Sequence, residues 1–154
     1  MVRARGVVYP SYWLCAPRWL GGSRGARGNR VRVLIVDDSQ VVRDRLAEML
    51  GGVPGVAAVD QATGPAVALV ALSRARPDLV VVDLRMPEGS GISLLKAVKK
   101  IDAAIPVIVL TNFAYPQYRE ECRTAGADYF FDKSTEFERV AEIAAERASN
   151  GRPA

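Results

Sequence analysis

The chain has 154 residues, 49% of them hydrophobic and 25% charged, proportions that suit a single globular domain with an ordinary core. Its formal charge of +4 is uneven: residues 1–30 hold six arginines (Arg3, Arg5, Arg18, Arg24, Arg27, Arg30) and no acid, leaving 15 basic against 17 acidic residues over 31–154, a net of −2. The basic character belongs to the first segment, so a nucleic-acid footprint on the folded part loses its main support and no DNA-binding domain is expected; no stretch approaches the roughly 18 to 20 apolar residues of a membrane span.

Residues 1–30 mix Tyr9, Tyr12, Trp13 and Trp19 with arginine, prolines at 10 and 17, and a glycine-rich close. The prolines break any helix, the glycines read as linker, and no clean apolar core precedes a small-residue cleavage site. A disordered basic extension is expected, and translation begun upstream of the true start would leave the same trace. The domain proper is expected over 31–150, with 151–154 as a short tail too small for an appended output module.

Val31–Val36 is an apolar run that reads as a first strand and stops at Asp37-Asp38. Ser39 suits the N-cap of a helix in which Val42, Leu46, Met49 and Leu50 recur at helical spacing, closed by Gly51-Gly52. Residues 56–59 form a weaker strand, and 65–75 a helix of small residues that Pro77 stops. Leu79–Val82 is apolar throughout and rich in β-branched valine, so it reads as a strand buried on both faces. Asp83 then emerges at its carboxyl end, the edge where open α/β sheets place their sites. The loop over 86–91 leads into a helix whose Leu94, Leu95, Val98 and Ile101 form one stripe. Residues 106–110 are a fourth strand, ending at Thr111-Asn112. Pro116 suits the first turn of the next helix and Gly126 its C-terminal cap, with Tyr118, Cys122 and Ala125 on one face. Residues 127–131 are a fifth strand, followed by Asp132-Lys133. Thr135 and Glu138 have capping-box spacing for a last helix that turns Phe137, Val140, Ala141 and Ala144 inward and ends near Asn150. Strands alternating with helices in this way predict a doubly wound α/β fold: a five-stranded parallel sheet with right-handed crossovers and helices on both faces.

Taken singly, an aspartate at a strand end is equally explained by a turn, and Asp37-Asp38 by the preference for acid at a helix start. Four strands ending together change this, because three carboxylates, the Thr111 hydroxyl and the Lys133 ammonium would meet at one edge. Carboxylates so placed repel one another unless a cation sits between them, and an all-oxygen set suits Mg²⁺. A carboxylate beside such a cation, with a hydroxyl and a lysine nearby, is suited to accept a phosphoryl group: it attacks in line while positive charge neutralises the phosphoryl oxygens. The chain has no histidine and two cysteines, of which Cys122 reads as a buried helix residue. Neither a disulfide framework nor a zinc site is suggested, and a reducing, cytoplasmic setting is expected.

Over residues 31 to about 148 the chain resembles the receiver domain of two-component response regulators. The resemblance rests on Asp37-Asp38 after the first strand, Asp83 with Met86-Pro87 and Gly89 to Gly91 after the third, Thr111 after the fourth, and Ala125-Gly126-Ala127 ahead of Lys133. It implies a flavodoxin-like strand order 2-1-3-4-5 and a stand-alone phosphorelay protein in which Asp83 accepts a phosphoryl group from a sensor histidine kinase or histidine phosphotransfer protein. It also implies that Asp38 and Asp83 bind Mg²⁺ directly with the backbone carbonyl of Arg85, that Asp37 acts largely through water, and that Thr111 and Lys133 hold the phosphoryl oxygens. No enzymatic activity is expected beyond the domain's own phosphorylation and dephosphorylation, and the downstream protein target is not named by the sequence.

Two departures from the family pattern stand out. Ser134 follows the lysine where many receivers have proline, which disfavours a cis peptide there. The switch aromatic three residues before it is Phe130 rather than tyrosine; it can move with Thr111 between pockets but has no hydroxyl, while Tyr129 faces the other side of the strand. The rival reading is an aspartyl-phosphate hydrolase of the haloacid dehalogenase type, which usually carries a second acid where this chain has Arg85. A flavodoxin-like cofactor binder would need a phosphate-cradling loop after the first strand, and Asp37-Asp38-Ser39 does not supply one.

Overall fold

Apolar runs become strands where both faces can be covered. In this computed structural model five of them, β1 (Val31–Val36), β2 (Val56–Ala62), β3 (Leu79–Val82), β4 (Val107–Thr111) and β5 (Tyr129–Asp132), pair in parallel in the order β2-β1-β3-β4-β5. They alternate with α1 (Gln40–Gly51), α2 (Pro65–Arg74), α3 (Gly91–Ile101), α4 (Pro116–Thr124) and α5 (Arg139–Asn150). This is the expected flavodoxin-like sheet and strand order. The structure describes residues 30–150, and in addition the antiparallel pairing of Arg3–Ala4 with Val7–Val8, a local ladder that the arginine-glycine composition does not suggest. The rest of the expected extension and the tail at 151–154 lie outside the described residues. Among the described residues no helix is long and apolar enough to cross a membrane.

Strand side chains alternate between two layers. Val33, Ile35, Leu79, Val81, Ile108 and Leu110 pack with Leu46 and Leu50 of α1 and Val140 and Ala144 of α5. Leu34, Val36, Val80, Val82, Val107 and Val109 pack with Ala68 and Leu72 of α2, Leu94, Leu95 and Val98 of α3, and Cys122 of α4. Helices of nine to twelve residues are marginal alone, whereas each fully buried aliphatic side chain contributes about 1.5–3 kcal/mol, so the layers hold the helices rather than the reverse.

Several boundaries differ from the sequence reading. β2 runs on to Ala62 because it pairs with β1 as far as Val36, and its polar Asp60 and Gln61 are met by Arg32 at 2.9 Å and Arg43 at 3.3 Å. β5 begins at Tyr129, since Ala127 donates to Cys122 and closes the end of α4 through Gly126 at φ 103°, and it extends to Asp132 opposite Thr111. No capping box forms at Thr135. Instead the Asp132 carboxylate accepts the Ser134 N–H at 2.8 Å and the Glu136 carboxylate accepts the Asp132 N–H at 2.9 Å, so α5 starts only at Arg139. Ile101 leaves the α3 stripe and is 60% exposed. Gly52 ends α1 in the right-handed region; the left-handed residue of that turn is Gly55, at φ 91°.

Candidate functional site

Asp83 is placed by the strand it follows. Its N–H donates to Val36 of β1 at 3.0 Å, and its Oδ1 accepts the Leu84 N–H at 2.8 Å. The chain then turns back so closely that a Cβ on Gly91 would lie 2.0 Å from the Asp83 carbonyl oxygen, a contact only glycine permits. Gly91 donates to Leu84 at 2.9 Å and opens α3, so the loop carrying Asp83 is bracketed by a strand and a helix. The turn contains a two-residue antiparallel ladder, Arg85–Met86 with Gly89–Ser90. Because Leu84 and Gly91 already share a hydrogen bond, alternation makes Arg85–Ser90 the non-bonded pair, and the Arg85 carbonyl is not used by the ladder.

Asp37 continues β1, donating its N–H to Ala62 of β2. Its Oδ1 accepts the Ser39 N–H at 2.9 Å and its carbonyl accepts from Arg43 of α1 at 2.7 Å, while Ser39 caps the helix as expected by accepting from Val42. Asp38 is exposed beside it. From the other side, the Lys133 N–H donates to the Thr111 carbonyl at 2.9 Å, which hangs the lysine off the end of β5 beside β4. Its Nζ reaches Asp37 Oδ2 at 2.6 Å and Asp83 Oδ2 at 3.1 Å, with 8% of the side chain exposed.

Asp37, Asp38 and Asp83 each offer a carboxylate oxygen within 4.8 Å of the others, and the Lys133 ammonium pairs with two of the three. Burial pushes the Asp83 carboxyl above the usual carboxylate range against the pull of Lys133, and the Asp37 charge adds to the rise. Burial alone would lower Lys133, but its hydrogen bond to Asp37 and the charge of Asp83 hold it above an ordinary lysine, so it remains an ammonium. The donor set fits a hard divalent cation: oxygen ligands only, one of them open to solvent where waters would complete the shell.

Two other expected residues, Thr111 and Phe130, lie on β4 and β5. Thr111 is fully buried; its Oγ1 accepts the Phe113 N–H at 3.0 Å and keeps its own proton to donate. Phe130 is buried against the α3 and α4 side of the sheet, with the Arg119 guanidinium 4.7 Å above its ring. The Lys133–Ser134 peptide is trans. Sequence reasoning did not single out Arg43, which steadies Asp37, or the side chain of Arg85, which lies over Phe113 and bonds Tyr118. The separations of six and 33 residues carry no periodic signal.

Comparison with known proteins agrees with this fold. The family described as the response regulator receiver domain matches residues 33–145. A protein-glutamate methylesterase/protein-glutamine glutaminase of Treponema denticola is 38% identical over 105 residues, 67% of this chain and 28% of the relative. The DNA-binding transcriptional activator DevR/DosR of Mycobacterium tuberculosis is 33% identical over 103 residues, 67% of this chain and 48% of the relative. The chain thus spans less than half the length of these curated relatives. Among solved structures, the chemotaxis protein CheY4 of Vibrio cholerae superposes with TM-score 0.69 at 26% identity, covering 77% of this chain and 98% of that one. TrrA of Thermotoga maritima, in complex with Mg²⁺ and beryllofluoride, superposes with TM-score 0.66 at 30% identity, covering 75% and 97%.

Proposed function

The chain belongs to the response regulator receiver domain family and is a phosphoacceptor signalling domain; from that premise we propose that Asp83 is the acceptor. The phosphoryl donor is a phosphohistidine of a sensor kinase or phosphotransfer protein. An Asp83 oxygen attacks phosphorus, the phosphorus–nitrogen bond breaks, and the imidazole nitrogen leaves with the electron pair and takes up a proton. The observation that carries this reading is the grip of Lys133 on both Asp37 and Asp83 at a sheet edge where acids outnumber the base.

Mg²⁺ would be held by Asp38, Asp83 and the Arg85 carbonyl, with Asp37 acting through water, and when bound it neutralises phosphoryl oxygens. Lys133 keeps Asp83 turned inward and offers an ammonium to one phosphoryl oxygen, and the Thr111 proton serves another. Residues 31–150 are taken as the receiver, and its output as a change in protein binding in the cytoplasm in which Thr111 moves inward and Phe130 follows. Incubation with acetyl phosphate tests the assignment: a single Mg²⁺-dependent acyl phosphate per chain is expected. Rapid multiple turnover would indicate a hydrolase instead, and the absence of any reaction would overturn the reading.

A further inference from the structure

Arg85 has two ends that serve different parts of the molecule. Its backbone belongs to the Asp83 loop, and its carbonyl stands outside the two-residue ladder. Its guanidinium lies 4.4 Å above the Phe113 ring and 5.8 Å from that of Tyr118, and donates to the Tyr118 hydroxyl at 2.9 Å. Phe113 is in the connection from Thr111 to α4, its N–H held by the Thr111 hydroxyl. Tyr118 is in the first turn of α4 and packs against Tyr115 at 6.0 Å. One exposed side chain therefore ties the loop after Asp83 to the loop after Thr111 and to α4, beside an open groove of about 430 Å³ also lined by Met86, Ile92 and Glu121.

We propose that Arg85 is a positioning residue that transmits occupation of the Asp83 site to α4 through its clamp on Phe113 and Tyr118, by a route separate from Phe130. The proposal rests on the reading of the Asp83 site given above. A planar guanidinium with an aromatic face against it and a hydroxyl at its edge is directional, so the clamp fixes the orientation of the residue that carries it. Through the short Arg85 backbone that orientation extends to the carbonyl. A ligand that fixes the carbonyl makes the clamp more rigid and holds α4 at Tyr118; conversely, loss of the clamp frees the carbonyl and weakens the ligand. Phe130 is suited to a smaller part, since it is already buried beneath Arg119 and has no hydroxyl with which to choose between an inner and an outer position.

The full chain and its Arg85→Met and Tyr118→Phe variants are titrated with Mg²⁺ and then with beryllofluoride, while amide chemical shifts are followed at residues 37–39 and 83–91 and at residues 117–122. Arg85→Met keeps the carbonyl and the aliphatic stem, and the residue is exposed, so the fold is retained. In the wild type both sets should respond. In Arg85→Met at saturation the site amides should still respond while the α4 response falls to less than about half, and both variants should bind Mg²⁺ about fivefold more weakly although Tyr118 touches none of the donors. An α4 response of wild-type size in Arg85→Met, or Mg²⁺ affinity unchanged by Tyr118→Phe, overturns the coupling. No response at residues 37–39 and 83–84 in the wild type would overturn the site reading itself, a result distinct from either of those.

Discussion

Two lysines sit at opposite edges of the sheet, and their partners show why one edge is a tie and the other a site. At the amino edge, Lys99 of α3 donates to the carbonyls of Ala103 at 3.3 Å and Ile105 at 2.7 Å and to the Asp128 carboxylate at 2.7 Å, and the same Asp128 oxygen accepts the Val107 N–H at 2.8 Å. One cation meets one anion, and neutral groups fill the remaining positions. At the carboxyl edge Lys133 faces Asp37 and Asp83 with Asp38 alongside, and the acids are in excess. The charge that Lys99 itself meets is balanced by one half-exposed anion, whereas the buried charge around Lys133 is left short of positive charge, which a divalent cation would supply. The ratio of opposed charges and the depth of burial, rather than the presence of an ion pair, separate the two lysines.

The largest expected effect bears on the acceptor. Asp83→Asn keeps the shape of the side chain and removes the nucleophile, so uptake of phosphate from acetyl phosphate, read as a mass increase, should fall to nothing. Lys99→Met should change uptake by less than about twofold, since its cluster touches none of the acids. Undiminished labelling of Asp83→Asn would remove the distinction between the edges.

Metal affinity comes next. Asp38→Asn should weaken Mg²⁺ binding by about tenfold or more and Asp37→Asn by less, because only the first is expected to touch the ion directly. Lys99→Met should leave it unaltered. Calorimetric titration of the three variants decides the matter, and equal losses in the two aspartate variants would leave no ranking between them.

Stability sharpens the contrast further. Lys99→Met leaves the Asp128 carboxylate without its ammonium, and because that side chain is 41% exposed the cost should be about 1–2 kcal/mol, below the range for a fully buried pair. Lys133→Met leaves Asp37 and Asp83 unopposed in a drier place and should cost about 3 kcal/mol in chelator. Mg²⁺ should restore a good part of the second loss by mass action and none of the first. Melting curves with and without the ion would contradict the comparison if both variants, or neither, were rescued.

How much of this was legible follows from the same physics. β3 could be read because an unbroken β-branched run fits a doubly covered strand, and Asp83, Asp37 and Lys133 could be read because strand ends converge once the sheet is parallel. The continuation of β2 through Asp60 and Gln61 could not, since those residues are polar and are held by pairing with β1 and by Arg32 and Arg43. Thr135 offered a capping pattern, yet the Asp132 carboxylate takes the Ser134 N–H and also the Thr135 N–H that the box would need. Ile101 completed a helical stripe on paper but falls past the last turn that the sheet covers. The guanidinium of Arg85 was invisible for another reason: its partners lie on an element whose distance from the Asp83 loop is set only by the folded sheet.

The smallest expected effect concerns the apolar layer between the two edges, which should hold no group that titrates near neutrality. Cys122 is wholly buried there among Leu95, Val107 and Phe130. Burial, with a lesser contribution from the Glu121 charge, pushes its thiol up to about 11 from 9.0. A raised acid binds its proton more tightly in the folded chain, so its contribution to stability is fully present below the unfolded value and is lost as pH rises toward the folded one. The difference in thermal midpoint between wild type and Cys122→Ala should therefore be flat to about pH 8.5 and shrink between about 9 and 11. At pH 9 the folded thiol should be about 1% thiolate against roughly half in the unfolded chain, so iodoacetamide should modify Cys122 at least about fiftyfold more slowly in buffer than in urea. Mass analysis of the peptide containing Cys122, with Cys15 counted separately, provides the rate. Modification as fast in buffer as in urea would mean that α4 opens readily, and the contrast between a closed interior and an unbalanced edge would then be lost.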